Sequence, residues 1–423
     1  MFRRPTGTED RLPDQQAVWR FIVKAAETTA ARFGYGRLDT PTFEETALFV
    51  RGVGEGTDLI EQETYTFEDR GGTRLTLRSE GTAPAMRAYL QSGLQSAPIP
   101  VRLYYVTPIF RYDRPQRGRL REHHQFGVEA IGESDAAMDV ETIQLLSCFY
   151  HAAGLSSVNL QLNSIGDERC RPAFIEILRH YYSSRLDQVC ANCQVRYVKN
   201  PLRLLDCKED RCQPVIAAAP KPLEHLCAGC REHFERVQYL LRLLRITFTL
   251  NDRLVRGLGY YTRTVFEFYG AREGAQAALG GGGRYNRLVE ELGGKPTPAV
   301  GFGCGLERVV LALQEEHVPR PEDPGIDISI CHLGREAEDW ALIVASTLRQ
   351  QGFRVVTTPG ERRIAVQLKQ ADHYRARFAG IIGSEEAASR TVSLRDMKTK
   401  EEKHGLTVES IIARLSTEAR DSH

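Results

Sequence analysis

Between positions 111 and 121 the chain reads Arg111-Tyr112-Asp113-Arg114-Pro115-Gln116-Arg117-Gly118-Arg119-Leu120-Arg121, five arginines against one acid. Guanidinium groups are planar, permanently charged and able to donate paired hydrogen bonds to an oxyanion, so this run suits a nucleotide, an RNA end, or both. A solvated basic loop has the same composition, and composition alone leaves that alternative open. A further arginine, Arg256, stands in Val255-Arg256-Gly257-Leu258-Gly259-Tyr260-Tyr261, next to two phenols. Gly280-Gly281-Gly282-Gly283 permits a close backbone approach, either to a ligand or to a neighbouring strand. A phosphate-binding P-loop is excluded, because Gly294-Lys295 is followed by Pro296 and lacks the upstream glycine. The runs at 52–56 and at Gly301-Phe302-Gly303-Cys304-Gly305 lack the third-glycine spacing of a dinucleotide fingerprint.

Cys190-x2-Cys193, Cys207-x4-Cys212 and Cys227-x2-Cys230 put six thiols into 41 residues. Thiolate pairs of this kind close tetrahedral zinc sites, and four cysteines would brace a small insertion with little core of its own. Reduced, partly buried thiols are the plain alternative. Any four of the six could ligate, and the outer pairs Cys190, Cys193, Cys227 and Cys230 are the first choice.

These groups need elements to position them. Residues 14–33 carry Val18, Phe21, Ile22, Ala25, Ala26 and Phe33 mainly at three- and four-residue spacing before Gly34, which predicts an amphipathic helix with a glycine stop. Tyr65-Thr66-Phe67 and Leu75-Thr76-Leu77 flank the turn Asp69-Arg70-Gly71-Gly72, a hairpin pattern. From Val101 to Gly132 strand material stands on both sides of the arginine run, predicting two strands joined by a long basic loop. A helix is expected over 138–152 and strands near 158–162, 246–250 and 264–268. Between about 166 and 240 the cysteines sit among helical stretches, which marks an insertion. After the proline-rich linker at 319–324, strand runs at 326–330 and 353–356 alternate with helical ones, predicting a separate α/β domain.

The length, 423 residues, predicts two to three domains. With 42% hydrophobic and 26% charged residues the chain has a globular mix, not a disordered or fibrous one. A net charge of +1 argues against a histone-like polycation, though not against local basic patches. No apolar stretch reaches membrane-spanning length, and Met1-Phe2-Arg3-Arg4-Pro5-Thr6-Gly7 lacks the apolar core of a signal peptide. Both features predict a cytoplasmic protein with reduced thiols and no membrane partner.

Taken in order, Leu38-Asp39-Thr40-Pro41, the arginine loop, the stretch Val255 to Phe268, and Gly301 to Arg308 resemble the histidyl-tRNA synthetase family of class II aminoacyl-tRNA synthetases, nearly end to end. Pro41 is similar to the first class II motif, the arginine loop to the second and Arg308 to the third. The stretch around Arg256 is the part specific to the histidine enzymes. The resemblance implies an α+β fold whose catalytic core is an antiparallel sheet flanked by helices. It places that catalytic domain at 1–324, interrupted by a helical insertion at 166–240, and an α/β anticodon-binding domain at 325–423. It implies activation of histidine by ATP to histidyl-adenylate, transfer to the 3′ end of histidine tRNA, Mg²⁺ on the ATP phosphates, and a homodimer.

By the same resemblance Arg111 and Arg256 are catalytic, flanking the α-phosphate, while Arg111 and Arg308 bind ATP. Glu80, Thr82 and Gln125 hold the α-ammonium of histidine, Glu129 and Tyr261 read the imidazole, and Tyr260 is a further substrate-binding residue. Gln116 meets the tRNA acceptor end. Lys369, His373, Arg375, Arg377 and Arg390 are candidates for phosphate contact in the last domain. The family does not generally need zinc, so the resemblance leaves zinc on the cysteines as one of two alternatives. Two positions depart from the family pattern, Gly259 where an Asp is usual and Ser79 where a Pro is usual. Two other readings compete: a non-catalytic, histidine-sensing regulatory subunit of ATP phosphoribosyltransferase, and a zinc-containing RNA-binding protein without ATP turnover.

Overall fold

The computed structural model describes residues 2–54, 57–271, 278–319, 321 and 325–420, so most of the expected linker and the end of the glycine run at 52–56 lie outside the described residues. The chain divides into two compact units, Met1–Pro321 and Glu322–His423.

In the first unit the strands are β1 (Gly36–Arg37), β2 (Phe43–Glu45), β3 (Thr66–Glu68), β4 (Arg74–Leu77), β5 (Val101–Phe110), β6 (Glu122–Ile131), β7 (Asn159–Ser164), β8 (Phe248–Leu250), β9 (Thr262–Tyr269), β10 (Ala278–Arg284) and β11 (Ala299–Gly305). Eight of them form one sheet in the order β1-β5-β6-β11-β10-β9-β7-β8, and β2-β4-β3 form a second, small one. The large sheet is antiparallel except at its edges, where β1 runs parallel to β5 and β8 parallel to β7. The basic run of the sequence is the loop between β5 and β6, whose ten register pairs make the longest hairpin of the unit.

Side chains alternate across a strand, so each strand has a core face and a second face. On the core face Phe126, Val128, Ala130, Phe266, Phe268, Val300 and Phe302 pack under the helices Gln16–Arg32 and Ala136–Ala153 through Ile22, Ala26, Ile143, Leu146 and Phe149. The β-branched and aromatic positions of the strands therefore supply one continuous apolar layer. Burying it is the main favourable term that holds the opposite face in place.

Between β7 and β8 the chain runs through the helices Arg171–Ser183, Ala191–Lys199, Gln213–Ala217 and Ala228–Leu243, joined by stretches that include 3-10 turns. Phe234, Val237 and Leu241 of the last helix belong to the main core, so the helical material is not wholly separate from it. Arg284, at the end of β10, is fully buried and pairs with the buried Asp139 of the helix Ala136–Ala153. The guanidinium holds that carboxyl well below its ordinary range despite burial, and His233 of the helix Ala228–Leu243 adds a contact at 3.4 Å. The pair links sheet, core helix and last insertion helix at one point.

The second unit has the strands β12 (Ile328–His332), β13 (Val355–Thr357), β14 (Phe378–Ile382), β15 (Val392–Asp396) and β16 (Glu402–Leu406), ordered β13-β12-β14-β15-β16. The first three are parallel and the last two antiparallel. Its core joins Ile328, Ile330, Phe378 and Val392 to Ala341, Val344 and Leu348 of the helix Arg335–Gln350.

Candidate active site

The face of the large sheet opposite the helices is floored by glycine. Tyr105 of β5 is in register with Gly127 of β6, Gly127 with Gly303 of β11, Gly303 with Gly281 of β10, and Gly281 with Glu267 of β9. Glycine across three neighbouring strands lowers the floor, so long side chains can lie flat over it. A methyl at position 303 would stand 2.4 Å from Gln125 Nε2, and one at 281 would stand 2.9 Å from Arg256 Nη1. The period-two glycines of β11 are thus a trough for side chains, a signal that the dinucleotide test could not pick up. The trough is the bottom of a cavity of about 960 Å³.

Arg111, Arg256 and Arg308 all line this one cavity. Arg111 lies just past β5, where its Nε donates to the Ser79 carbonyl at 2.7 Å. Arg256 lies in the loop before β9, ion-paired to Glu267, with Nη2 donating to the Gly281 carbonyl at 3.3 Å. Its buried Nε has no partner in the protein. Arg308 begins the helix after β11 and donates from Nε to the Gly118 carbonyl at 3.2 Å, which ties down the tip of the arginine loop. Three guanidiniums around one hollow suit an anion carrying several charges.

Glu80 and Thr82 line the same cavity, beside the start of the helix Thr82–Gln91. Glu80 is buried, and its two oxygens accept from the backbone N–H groups of Thr82 and Ala83, each at 2.7 Å. Burial pushes this carboxyl up, while the two N–H donors and Arg111 pull the other way. Gln125 lies in the wall, its amide donating to the Tyr105 hydroxyl at 3.3 Å. Tyr260 and Tyr261 are buried in the opposite wall with ring centroids 4.7 Å apart. Gly259, the first departure from the family pattern, places its Cα so that a methyl would meet the Val53 carbonyl at 2.9 Å, and its own N–H donates to that carbonyl at 3.0 Å. The close approach fastens the tyrosine loop, and the missing side chain is what allows it. Ser79, the second departure, contributes its carbonyl to Arg111 and leaves its buried hydroxyl unpartnered.

Glu129 is placed differently from Tyr261. It is fully buried and does not line the cavity, and its oxygens accept from the hydroxyls of Tyr105, at 3.0 Å, and Tyr285. Burial pushes its carboxyl up to about 8, against the smaller opposing effect of those hydroxyls. Because its folded value exceeds the ordinary one, the stability it contributes is complete below about pH 4.5 and is lost as pH rises toward 8. Urea unfolding between pH 5.5 and 7.5 should therefore show a decline of about 2 kcal/mol that Glu129→Gln removes. Equal slopes for the two proteins would refute a neutral Glu129.

Gln116 is exposed at the loop tip, bonded through its backbone to Arg119, and does not line the cavity. Arg119, His123 and Glu267 do line it. Arg119 belongs to the basic run read from the sequence, whereas sequence reasoning passed over His123 and Glu267, although His123 and Gln125 share a face at period two. Burial, with Arg111 nearby, holds the His123 imidazole down to about 4, so it is neutral at physiological pH.

The cysteines require a correction. Cys190, Cys193, Cys207 and Cys212 bring their sulfurs within 4.8 Å of one another, whereas Cys227 and Cys230 gather with Asp167 and Cys170. The expected quartet of Cys190, Cys193, Cys227 and Cys230 is divided because its two pairs open different helices, Ala191–Lys199 and Ala228–Leu243, and the second helix is drawn into the main core. In the second unit, Arg377 pairs with Asp327 at 3.6 Å and Arg390 lies over Trp340 at 4.9 Å, while Lys369, His373 and Arg375 are exposed.

A family model described as histidyl-tRNA synthetase matches residues 7–309, and one described as anticodon binding domain matches residues 327–418. The histidine–tRNA ligase of Dehalococcoides mccartyi is 48% identical over 398 residues, covering 94% of this chain and 95% of that protein. The corresponding ligase of Pelotomaculum thermopropionicum is 45% identical over 399 residues, covering 94% of each. Among solved structures, apo S. aureus histidyl-tRNA synthetase matches with a TM-score of 0.82 at 32% identity, covering 98% of this chain and all of that one (100%).

Proposed function

Because the chain belongs to the histidyl-tRNA synthetase family, we propose that its glycine-floored cavity is where histidine and ATP meet, and that Arg111 and Arg256 grip the reacting phosphate from two sides. The activity itself is that of a class II ligase: histidine is activated by ATP to histidyl-adenylate, and the histidyl group passes to histidine tRNA.

In the first step a carboxylate oxygen of histidine attacks the α-phosphorus, and the bond to the bridging oxygen of pyrophosphate breaks. Negative charge builds on the α-phosphate oxygens as it does so, and preorganised guanidiniums stabilise that charge without reorganising. The observation that carries this reading is the convergence of Arg111 and Arg256 on one cavity. Arg256 is held over the Gly281 floor by Glu267 and by its own contact with the Gly281 carbonyl. Arg308 supports the rest of the ATP, whose Mg²⁺ arrives with the nucleotide as part of the substrate. In the second step a terminal ribose hydroxyl of the tRNA attacks the adenylate carbonyl and AMP leaves.

Glu80, Thr82 and Gln125 receive the α-ammonium. Tyr260 packs against Tyr261, which meets the imidazole from the wall, with Glu129 one layer behind. The Tyr261 hydroxyl can donate as well as accept, and so can meet a ring with one N–H and one bare nitrogen, while Glu129 fixes the Tyr105 and Tyr285 hydroxyls behind that wall. An amino acid without those nitrogens would leave buried polar groups unpaired, which is strongly discriminating.

Gln116 and the exposed arginines of the loop face the acceptor end of tRNA, and in the second domain Lys369 and Arg375 offer exposed charge, and His373 an exposed ring, to the anticodon region. We also assign the chain to a homodimer in the cytoplasm. Support for the first comes from Phe43 and Phe67, which pack edge to face at 6.3 Å and yet stay 48% and 44% exposed on the small sheet beside the Pro41 segment. No described helix is long and apolar enough to cross a membrane.

The deciding experiment is aminoacylation of histidine tRNA by the purified chain. Histidine- and ATP-dependent charging is expected. A protein that binds histidine but transfers nothing would instead fit a sensor.

A further inference from the structure

We propose that Cys190, Cys193, Cys207 and Cys212 hold one tetrahedral Zn²⁺ per chain, and that this metal clamps the cysteine-rich insertion against the loop that carries Arg256. The metal assignment is independent of the role given to Arg256, whereas the clamp rests on it.

Geometry favours a metal over loosely packed thiols. A tetrahedron with Zn–S bonds of about 2.3 Å has edges of about 3.8 Å. Cys190 and Cys207 sulfurs are 3.8 Å apart, those of Cys193 and Cys212 are 4.0 Å apart, and all four fall within 4.8 Å of one another. Two chain segments contribute two sulfurs each, so the group closes a loop, as structural zinc sites do. Cys190 also donates its backbone N–H to the Cys212 sulfur at 3.2 Å, an interaction that suits a thiolate carrying negative charge. Cys193, Cys207 and Cys212 are buried, and a cation between four sulfurs this close is what lets them ionise together as ligands. The other group is a poorer host. Its Asp167 is already paired with Arg169 at 2.9 Å and Arg263 at 3.2 Å, which puts two fixed cations where a dication would have to enter.

The clamp follows from what the same turns touch. Gln213, next to Cys212, donates to the Cys207 carbonyl at 2.8 Å and accepts from Arg253 Nη1 at 3.1 Å. Arg203, between the two cysteine pairs, lies with its guanidinium 3.9 Å from where a Gly257 methyl would be. Arg253 and Gly257 flank Arg256, so ordering the thiol site orders both sides of that arginine. Cys193, Cys207 and Cys212 share a hydrophobic cluster with Tyr260 and Tyr261.

Full-length protein purified without chelators should contain about one zinc per chain by elemental analysis. Cys207→Ser should lose it and Cys227→Ser should keep it. Absence of stoichiometric zinc in the wild type, or zinc retained by Cys207→Ser, would overturn the site, and two zincs per chain would overturn the exclusion of the second group. Should Cys207→Ser prove insoluble, cobalt exchanged into the wild type decides the matter: intense visible thiolate–cobalt bands are expected, and their absence refutes the site. For the clamp, zinc removal should raise KM for ATP and histidine at least several-fold and speed tryptic cleavage between Lys199 and Lys208. Unchanged KM and cleavage would reject the clamp while leaving the metal assignment standing.

Discussion

Replacing Arg256 with alanine should lower histidine-dependent exchange of pyrophosphate into ATP by about 10²- to 10³-fold, chiefly in kcat, the loss typical of removing one preorganised donor from a developing oxyanion. The guanidinium has few other duties in the structure. It pairs with Glu267, touches the Gly281 carbonyl, and leaves Nε buried without a partner. Its neighbours are fixed by the sheet and Glu267 keeps the Tyr269 hydroxyl, so alanine should leave a cavity but an intact fold, checked by the thermal midpoint. Arg256→Lys keeps the charge and loses the planar fork, and should recover only part of the rate. Exchange within threefold of wild type for Arg256→Ala would remove this residue from the mechanism.

Replacing Glu80 with glutamine should raise KM for histidine by about 30-fold to several thousand-fold with a smaller change in kcat, because one member of a buried, hydrogen-bonded charge pair is worth about 2 to 5 kcal/mol. The carboxylate is buried against the first turn of the helix Thr82–Gln91, where its two oxygens each take a backbone N–H. Glutamine can keep only one of those bonds, so a stability loss of about 1 kcal/mol should accompany the kinetic one. The KM–kcat split separates the two effects, since a purely structural role would move both together. A change in kcat/KM under tenfold would place the α-ammonium elsewhere.

The arginine loop shows how far local reasoning reaches. Five arginines in eleven positions indicate an anion, and a solvated loop fits them equally well. What separates those outcomes is the Gly118 carbonyl docked on Arg308 and Arg111 docked on the Ser79 carbonyl, contacts between segments far apart in the chain. Glu129 illustrates the same limit. Resemblance marks it as a residue for the imidazole, but its burial between Tyr105 and Tyr285 is set by strands that no local pattern relates, and that burial alone makes its carboxyl neutral.

Residue types and spacing were enough to indicate the first helix, the two hairpins, the helix over 138–152, the strands near 158–162 and 264–268, the separate C-terminal α/β unit and the family, since alternation and helical periodicity are properties of neighbours along the chain. Only the tertiary structure decided that glycines of three strands form one floor, and that Cys207 and Cys212 rather than Cys227 and Cys230 join the first cysteine pair. Both outcomes depend on strand order and on which helix the core captures. Such long-range choices are made by the burial of the whole sheet, and spacing within any one segment does not encode them.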